Sequence, residues 1–304
     1  MRNSLINNGR RTFRFRAVDR LAKPFIGIIA FLTVLLAMPL GHTVMIVMEN
    51  IFGHEYVYMA AFFMGLVGAL ILVYGSHTLN PARATFAGLF AGLFIWTGWI
   101  EFSHVYIANR FHIQPLMEGG EIVTKPEYLI MPASAGFLGY FLIYYLLKTN
   151  TGCSFYNFFQ RKLKIPGKNT KPEFRDSNLA IVTSSELIII LWTFYLVLLY
   201  AYDNSFFGDK HIITYVIAFG SLLWSLILFP RLLRISSLGH AVRYSIPTVI
   251  IFWNFIEILG RWNVFHEIWI HPEQYWLEVM LISIIFILLS VYSFFRKIPP
   301  KNTI

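Results

Sequence analysis

Glu101 and His104 stand three residues apart where the third apolar stretch of the chain ends, "WIEFSHV", and a helix of 3.6 residues per turn puts both on one face. A second carboxylate, Glu257, closes another apolar stretch that ends in "FIE". Each is followed by the same short word, Asn109-x-Phe111-His112 after the first and Asn263-x-Phe265-His266 after the second, with His271 a little further on. Carboxylates and imidazoles together suit a divalent iron, manganese, zinc or copper ion, and the absence of clustered thiols argues against softer sites. The expected metal ligands are therefore Glu101, His104, His112, Glu257, His266 and His271. Glu49 and Asp203, each followed by Asn at the end of an apolar stretch, are expected to act behind the metal or as proton acceptors.

In ligand type alone, the Glu-x-x-His of Glu101 and His104 is similar to the pairs of di-iron carboxylate bundles. The second half has Gly260 where a matching His would stand, which favours an asymmetric pair or one mononuclear ion. Other chemistries lack their residues. No GxxxxGK[ST] loop is present to cradle phosphate and no GxSxG elbow to hold a nucleophilic serine. "HEIWIH" spaces His266 and His271 five apart, one too many for the zinc-binding HExxH face.

These residues must be positioned by membrane helices. The chain has 304 residues, 57% hydrophobic and 13% charged, with a mean hydropathy of +0.59, too apolar for a soluble core to absorb. Spanning hydrocarbon takes about 20 apolar residues as a helix, and eight stretches qualify: 25–49, 57–76, 84–107, 128–148, 180–202, 212–233, 241–261 and 275–295. Alternate connections, together with both termini, hold 21 of the 25 Lys and Arg residues, so both termini are expected in the cytoplasm. The net charge of +9 is then a property of the inner face, with no bearing on nucleic acid. Twelve of the 16 acidic residues fall on the other side, as do most histidines, which places the expected site on the outer, periplasmic side of a bacterial inner membrane. The basic "RRTFRFRAVDRLAKP" near the N-terminus suits anionic headgroups or sets topology, and no cleavage site follows it. The single Cys153 excludes disulfides within one chain.

The repeated word belongs to a longer pattern. "ENIFG" at Glu49–Gly53 matches "DNSFFG" at Asp203–Gly208, the two Ile-Glu pairs match, and "KPEY" matches "HPEQY", all in the same order at offsets of 146 to 156. Two tandem parallel four-helix repeats are expected, 25–148 and 179–296, preceded by the basic segment 1–24, joined by a basic linker 149–178 and closed by a tail 297–304. The first half carries ten extra residues, "LMEGGEIVTK", as a longer outer loop that could cover the site.

Ordinary roles account for much of the rest. Pro126-Glu127 and Pro272-Glu273 read as helix starts, Glu257 as a pairing partner for Arg261 four residues on, and His42 as a hydrogen-bonded bundle residue. Trp96, Trp99, Trp262, Trp269 and Trp276 read as an interfacial belt, and Gly88 with Gly92 as a close helix contact. The resulting expectation is a metal-dependent membrane enzyme, an oxidoreductase or hydrolase, acting on a lipid or other lipophilic substrate. The alternatives are an ion- or proton-coupled transporter and a non-catalytic subunit with membrane protein partners.

Overall fold

A computed structural model describes the backbone of residues 2–118, 121–147, 154–164 and 178–295, and within these the side chains from Pro24 onward except at 54, 118, 121–123 and 154–157. Cys153, most of the basic linker and the tail lie outside the described residues. Eight helices there are long and apolar enough to cross a membrane: α1 (Pro24–Gly53), α2 (Glu55–Ser76), α3 (Pro81–Arg110), α4 (Pro126–Leu147), α5 (Leu179–Tyr202), α6 (Ile212–Leu232), α7 (Leu238–Arg261) and α8 (Trp276–Phe295). All eight expected spans are present, with ends displaced by a few residues. The protein is a multi-pass membrane protein.

Local chemistry sets the boundaries. Gly53 separates α1 from α2 because it takes φ 59°, ψ −178°, a backbone that side chains resist. Asn80 caps α3 by accepting from the amides of Ala82 and Arg83, and Pro81 supplies a first-turn residue with no amide to satisfy. Asn178 caps α5 and the His211 ring caps α6 in the same manner. The extra loop of the first half folds as a small antiparallel hairpin, β1 (Leu116–Glu118) with β2 (Glu121–Thr124), with Met117 opposite Ile122.

Helices in lipid gain little from hiding apolar surface, so close approach of small residues must hold them together. Several close contacts cross between the first four spans and the last four. Gly88 and Gly92 of α3 lie on α5, the first against Ala180 and Thr183, the second against Ser184 and Leu187. Reciprocally, Ser245 of α7 donates to the Ala30 carbonyl of α1 at 3.1 Å. Between α3 and α7, Gly239 approaches Pro81 and Thr85, and the buried Arg243 donates to the Thr85 hydroxyl at 2.6 Å. The most enclosed helices are α3 and α7, with 67% of the span window buried in each. Buried Phe86, Leu89, Leu187, Ile190, Ile246 and Val249 fill the bundle centre between these helices. Above this plug, toward the ends marked by Gly53, Arg110, Tyr202 and Arg261, the bundle opens.

Candidate functional site

The opening is a cavity of about 730 Å³ lined by α1, α3, α5 and α7, the size of small-molecule sites. Its floor is apolar: Ala37, Met38, Leu93, Leu191 and Ile250. Its mouth is framed by Glu49, by Thr124 and Lys125 at the end of the hairpin, and by Ile270 and His271. Between floor and mouth stand His42, Glu101, Glu257 and Glu267, among the rings of Trp96, Tyr128, Tyr195, Trp253 and Trp269.

Glu101 is held by a defect in its helix. From Trp96 to Glu101 the α-helical ladder of α3 widens into a π turn, a form that recurs at functional sites. The cause lies on the opposite side of that turn. A Cβ on Gly98 would meet the Ala61 carbonyl at 2.5 Å and the Gly65 amide at 2.6 Å, so α2 and α3 touch backbone to backbone there. Trp99 covers Gly65 and donates from Nε1 to the Phe62 carbonyl at 3.0 Å. With Trp99 anchored to α2, Glu101 turns inward, 5% exposed, and is hydrogen-bonded by Trp96, Thr97 and Tyr195. Tyr195 is itself hydrogen-bonded to Tyr128 of α4.

Glu257 meets a partner from the other half of the chain. Its Oε1 lies 3.2 Å from His42 Nε2 and accepts from Trp253 Nε1 at 2.6 Å. The expected Glu257–Arg261 pair gives way to this arrangement, because Arg261 turns to Asp209, Nε to Oδ2 at 3.0 Å, and stacks over Tyr202. Glu101 and Glu267 both add negative charge beside His42. The cavity thus holds a histidine bonded to one carboxylate and facing two more.

Glu267 lies outside the spans, in the loop after α7, with its carboxyl over Gly260. Burial, then the nearby Glu257 carboxylate, push its pKa up from 4.5 to about 7, against the smaller opposing pull of His42 and Arg261. Between those two values the folded chain holds a proton that the unfolded chain releases, so stability falls as pH rises through the window and is fully restored below it. Thermal unfolding in detergent is expected to show a midpoint that declines from about pH 4.5 to about pH 7, and Glu267→Gln is expected to flatten that decline. An unchanged slope in the variant would remove Glu267 from this role.

The expected ligands divide. Glu101 and Glu257 reach the cavity and His271 lines its mouth, exposed and 3.5 Å from Glu273. His104 does not line it, since its Nδ1 lies 2.8 Å from the Ile100 carbonyl. His112 and His266 are exposed and also outside the lining. Among the described residues no three of His, Cys, Asp and Glu form a group able to hold a metal ion. Glu49 is a mouth residue, whereas Asp203 is exposed and accepts from the Ser205 amide at 2.7 Å in the turn after α5. The two Asn-x-Phe-His words also differ in use. In the first, His112 takes the left-handed position after the helix, φ 53°; in the second, Asn263 takes it, φ 56°. Each ends a helix with a C-terminal cap, the Ile113 amide bonding to Ala108 and the Val264 amide to Leu259.

Reading the sequence alone undervalues His42 and misses Trp253, Asn254, Tyr195 and Glu267. His42 was the accessible one, as an imidazole in the middle of an apolar span. Compared with known protein families, curated proteins and solved structures, the chain matches none.

Proposed function

We propose that this protein is a membrane-embedded enzyme that takes a lipophilic substrate into the cavity and works on it by proton transfer at His42, Glu257 and Glu101. The observation that supports it best is the one-sided cavity, apolar at its floor, carboxylate and imidazole above, and closed beneath by a packed plug. Trp253 fixes Glu257, Glu257 fixes the His42 ring, and a proton can pass between Oε1 and Nε2 without either side chain moving far. Glu101, fed by three donors, holds a fixed carboxyl group across the same space. A divalent iron, manganese, zinc or copper ion would find the right donor types in Glu101, His42 and Glu257, and bound there it would polarise an oxygen of substrate or water. Those donors would first have to close on it.

The duplication remains part of the proposal, and three observations support it. Burial runs 44, 22, 67 and 11% along α1–α4 and 50, 22, 67 and 11% along α5–α8. The first helix of each half packs on the third of the other. The caps Asn80 and Ser237 are 157 apart while Glu101 and Glu257 are 156 apart, and the one residue is the π turn's insertion. A parallel twofold brings Glu101 and Glu257 to one height, on the periplasmic side if the basic connections are cytoplasmic.

The test uses untagged protein in nanodiscs of host lipid, incubated with a host lipid extract, followed by mass spectrometry of lipophilic species and of bound metals. Wild type is expected to convert at least one species, and Glu101→Gln with His42→Ala to convert none. Proton-coupled transport is the second reading, favoured by the same reciprocal packing of halves. Solute uptake by wild-type proteoliposomes, with no species converted, would replace the enzyme reading with that one.

A further inference from the structure

Resting on the reading of the cavity as a lipophilic site, we propose that its ligand is an amphiphilic organic cation, an amine or quaternary ammonium carrying an oxygen acceptor close to the charged nitrogen. Three independent features select that chemistry.

The first is charge. Five carboxyl groups line the cavity, Glu49, Glu101, Asp209, Glu257 and Glu267, against two fixed cations, Lys125 and Arg261, and two histidines, so acidic groups exceed the fixed cations even with Glu267 protonated. Arg261 is already held by Asp209. An anionic ligand would meet this surplus at close range in a poorly solvated space, whereas a cation completes it.

The second is the wall. Trp96 and Tyr195 stand 5.8 Å apart between centroids, Tyr195 and Tyr128 5.9 Å, and Trp253 and Trp269 5.0 Å. Ring faces beside carboxylates attract alkylammonium groups, whose charge is spread over greasy surface, better than they attract hydrated metal ions. Below them the floor of Ala37, Met38, Leu93 and Leu191 receives an apolar chain.

The third is Asn254. Its side chain is 2% exposed, lines the cavity one turn of α7 before Glu257, and its Nδ2 has no hydrogen-bond partner. A buried amide donor left unpaired is costly and calls for an explanation. An acceptor oxygen on the ligand, a hydroxyl or carbonyl near the nitrogen, supplies one at the right depth beside the carboxylate.

The experiment is calorimetric titration of the full chain in nanodiscs with short, soluble probes of equal chain length: hexyltrimethylammonium, its N-(2-hydroxyethyl) analogue, hexanol and hexyl sulfate. The two ammonium probes are expected to bind at least about tenfold more tightly than hexanol, a step of one decade in Kd, and hexyl sulfate not at all. Glu257→Gln is expected to erase the preference of cation over alcohol, and Asn254→Leu to erase only the advantage of the hydroxyethyl probe. Repeating the titration in phosphatidylcholine and in phosphatidylglycerol nanodiscs separates the sources. Weaker probe binding in phosphatidylcholine identifies a lipid headgroup as competitor, and equal binding identifies a free amine. Hexanol binding as tightly as the ammonium probes would overturn the cation while leaving the lipophilic cavity standing. Binding of no probe, with the variants folded, would overturn both.

Discussion

Gly88→Leu is expected to destabilise the protein by roughly 3 kcal/mol, the upper range for forcing side-chain volume into a closed contact. A Cβ at this position would meet the Ala180 carbonyl oxygen and Cα and, at 2.9 Å, the Thr183 Cβ. Backbone cannot step aside as a side chain does, so α3 and α5 must separate. They are the helices that carry Glu101 and Tyr195, and the separation would widen the cavity from its base. Gly136→Leu and Gly220→Leu are the controls, because nothing lies within 4 Å of a Cβ at either site. Both should be neutral or slightly stabilising, since helix-interior glycine costs about 1 kcal/mol relative to alanine. The measurement is the unfolding midpoint in a fixed detergent, and equal losses at all three glycines would show that the α3–α5 contact has no special weight.

The same contact shows what the sequence could disclose. Gly88 and Gly92, four apart, announce a close helix crossing, though not the partner that receives it. The spans themselves were legible because a single segment crossing hydrocarbon must satisfy its backbone internally and carry few charges, which a long apolar helix does. Their ends were less so: α3 begins at Pro81 and runs to Arg110, beyond the apolar core of 84–107, because Asn80 caps one end and polar residues continue the other past the hydrocarbon. Glu101 and Glu257 were conspicuous as ionisable groups inside apolar runs. Their surroundings were not, for two reasons. The π turn depends on Gly65 and Gly98 meeting across two helices, which no local period records. The partners of Glu257 and Glu101, His42 and Tyr195, come from the opposite half of the chain, and Trp253 or Asn254 in an apolar run looks like any core residue. Histidines at the same ends of the apolar helices were legible as a group, but a shared end is not a shared site. His112 and His266 are spent on loops that follow helix ends.

Replacing His42 and Glu257 together by Leu and Met is expected to leave stability close to that of the wild type, while either replacement alone costs about 1 kcal/mol. Removing one partner of a fully buried ion pair costs about 3–5 kcal/mol, because the other charge stays behind without compensation. Here both side chains are about one fifth exposed, 20% and 22%, so water at the cavity wall softens the loss. His42→Leu leaves the Glu257 carboxylate with Trp253 as its donor and with Glu267 close enough to repel it. Glu257→Met leaves the imidazole without its partner at 3.2 Å. The double variant removes both charges from a poorly solvated site and fills the space with apolar volume, a change that is often neutral or stabilising. A double-mutant cycle read by unfolding midpoints is therefore expected to give a coupling of about 1–2 kcal/mol. Additive losses would mean the pair does not interact as its geometry implies. If the apolar pair does match the wild type in stability while losing cation binding and turnover, folding gives no reason for a histidine and a glutamate to face each other in the middle of this bundle. The reason is then the chemistry of the cavity they line.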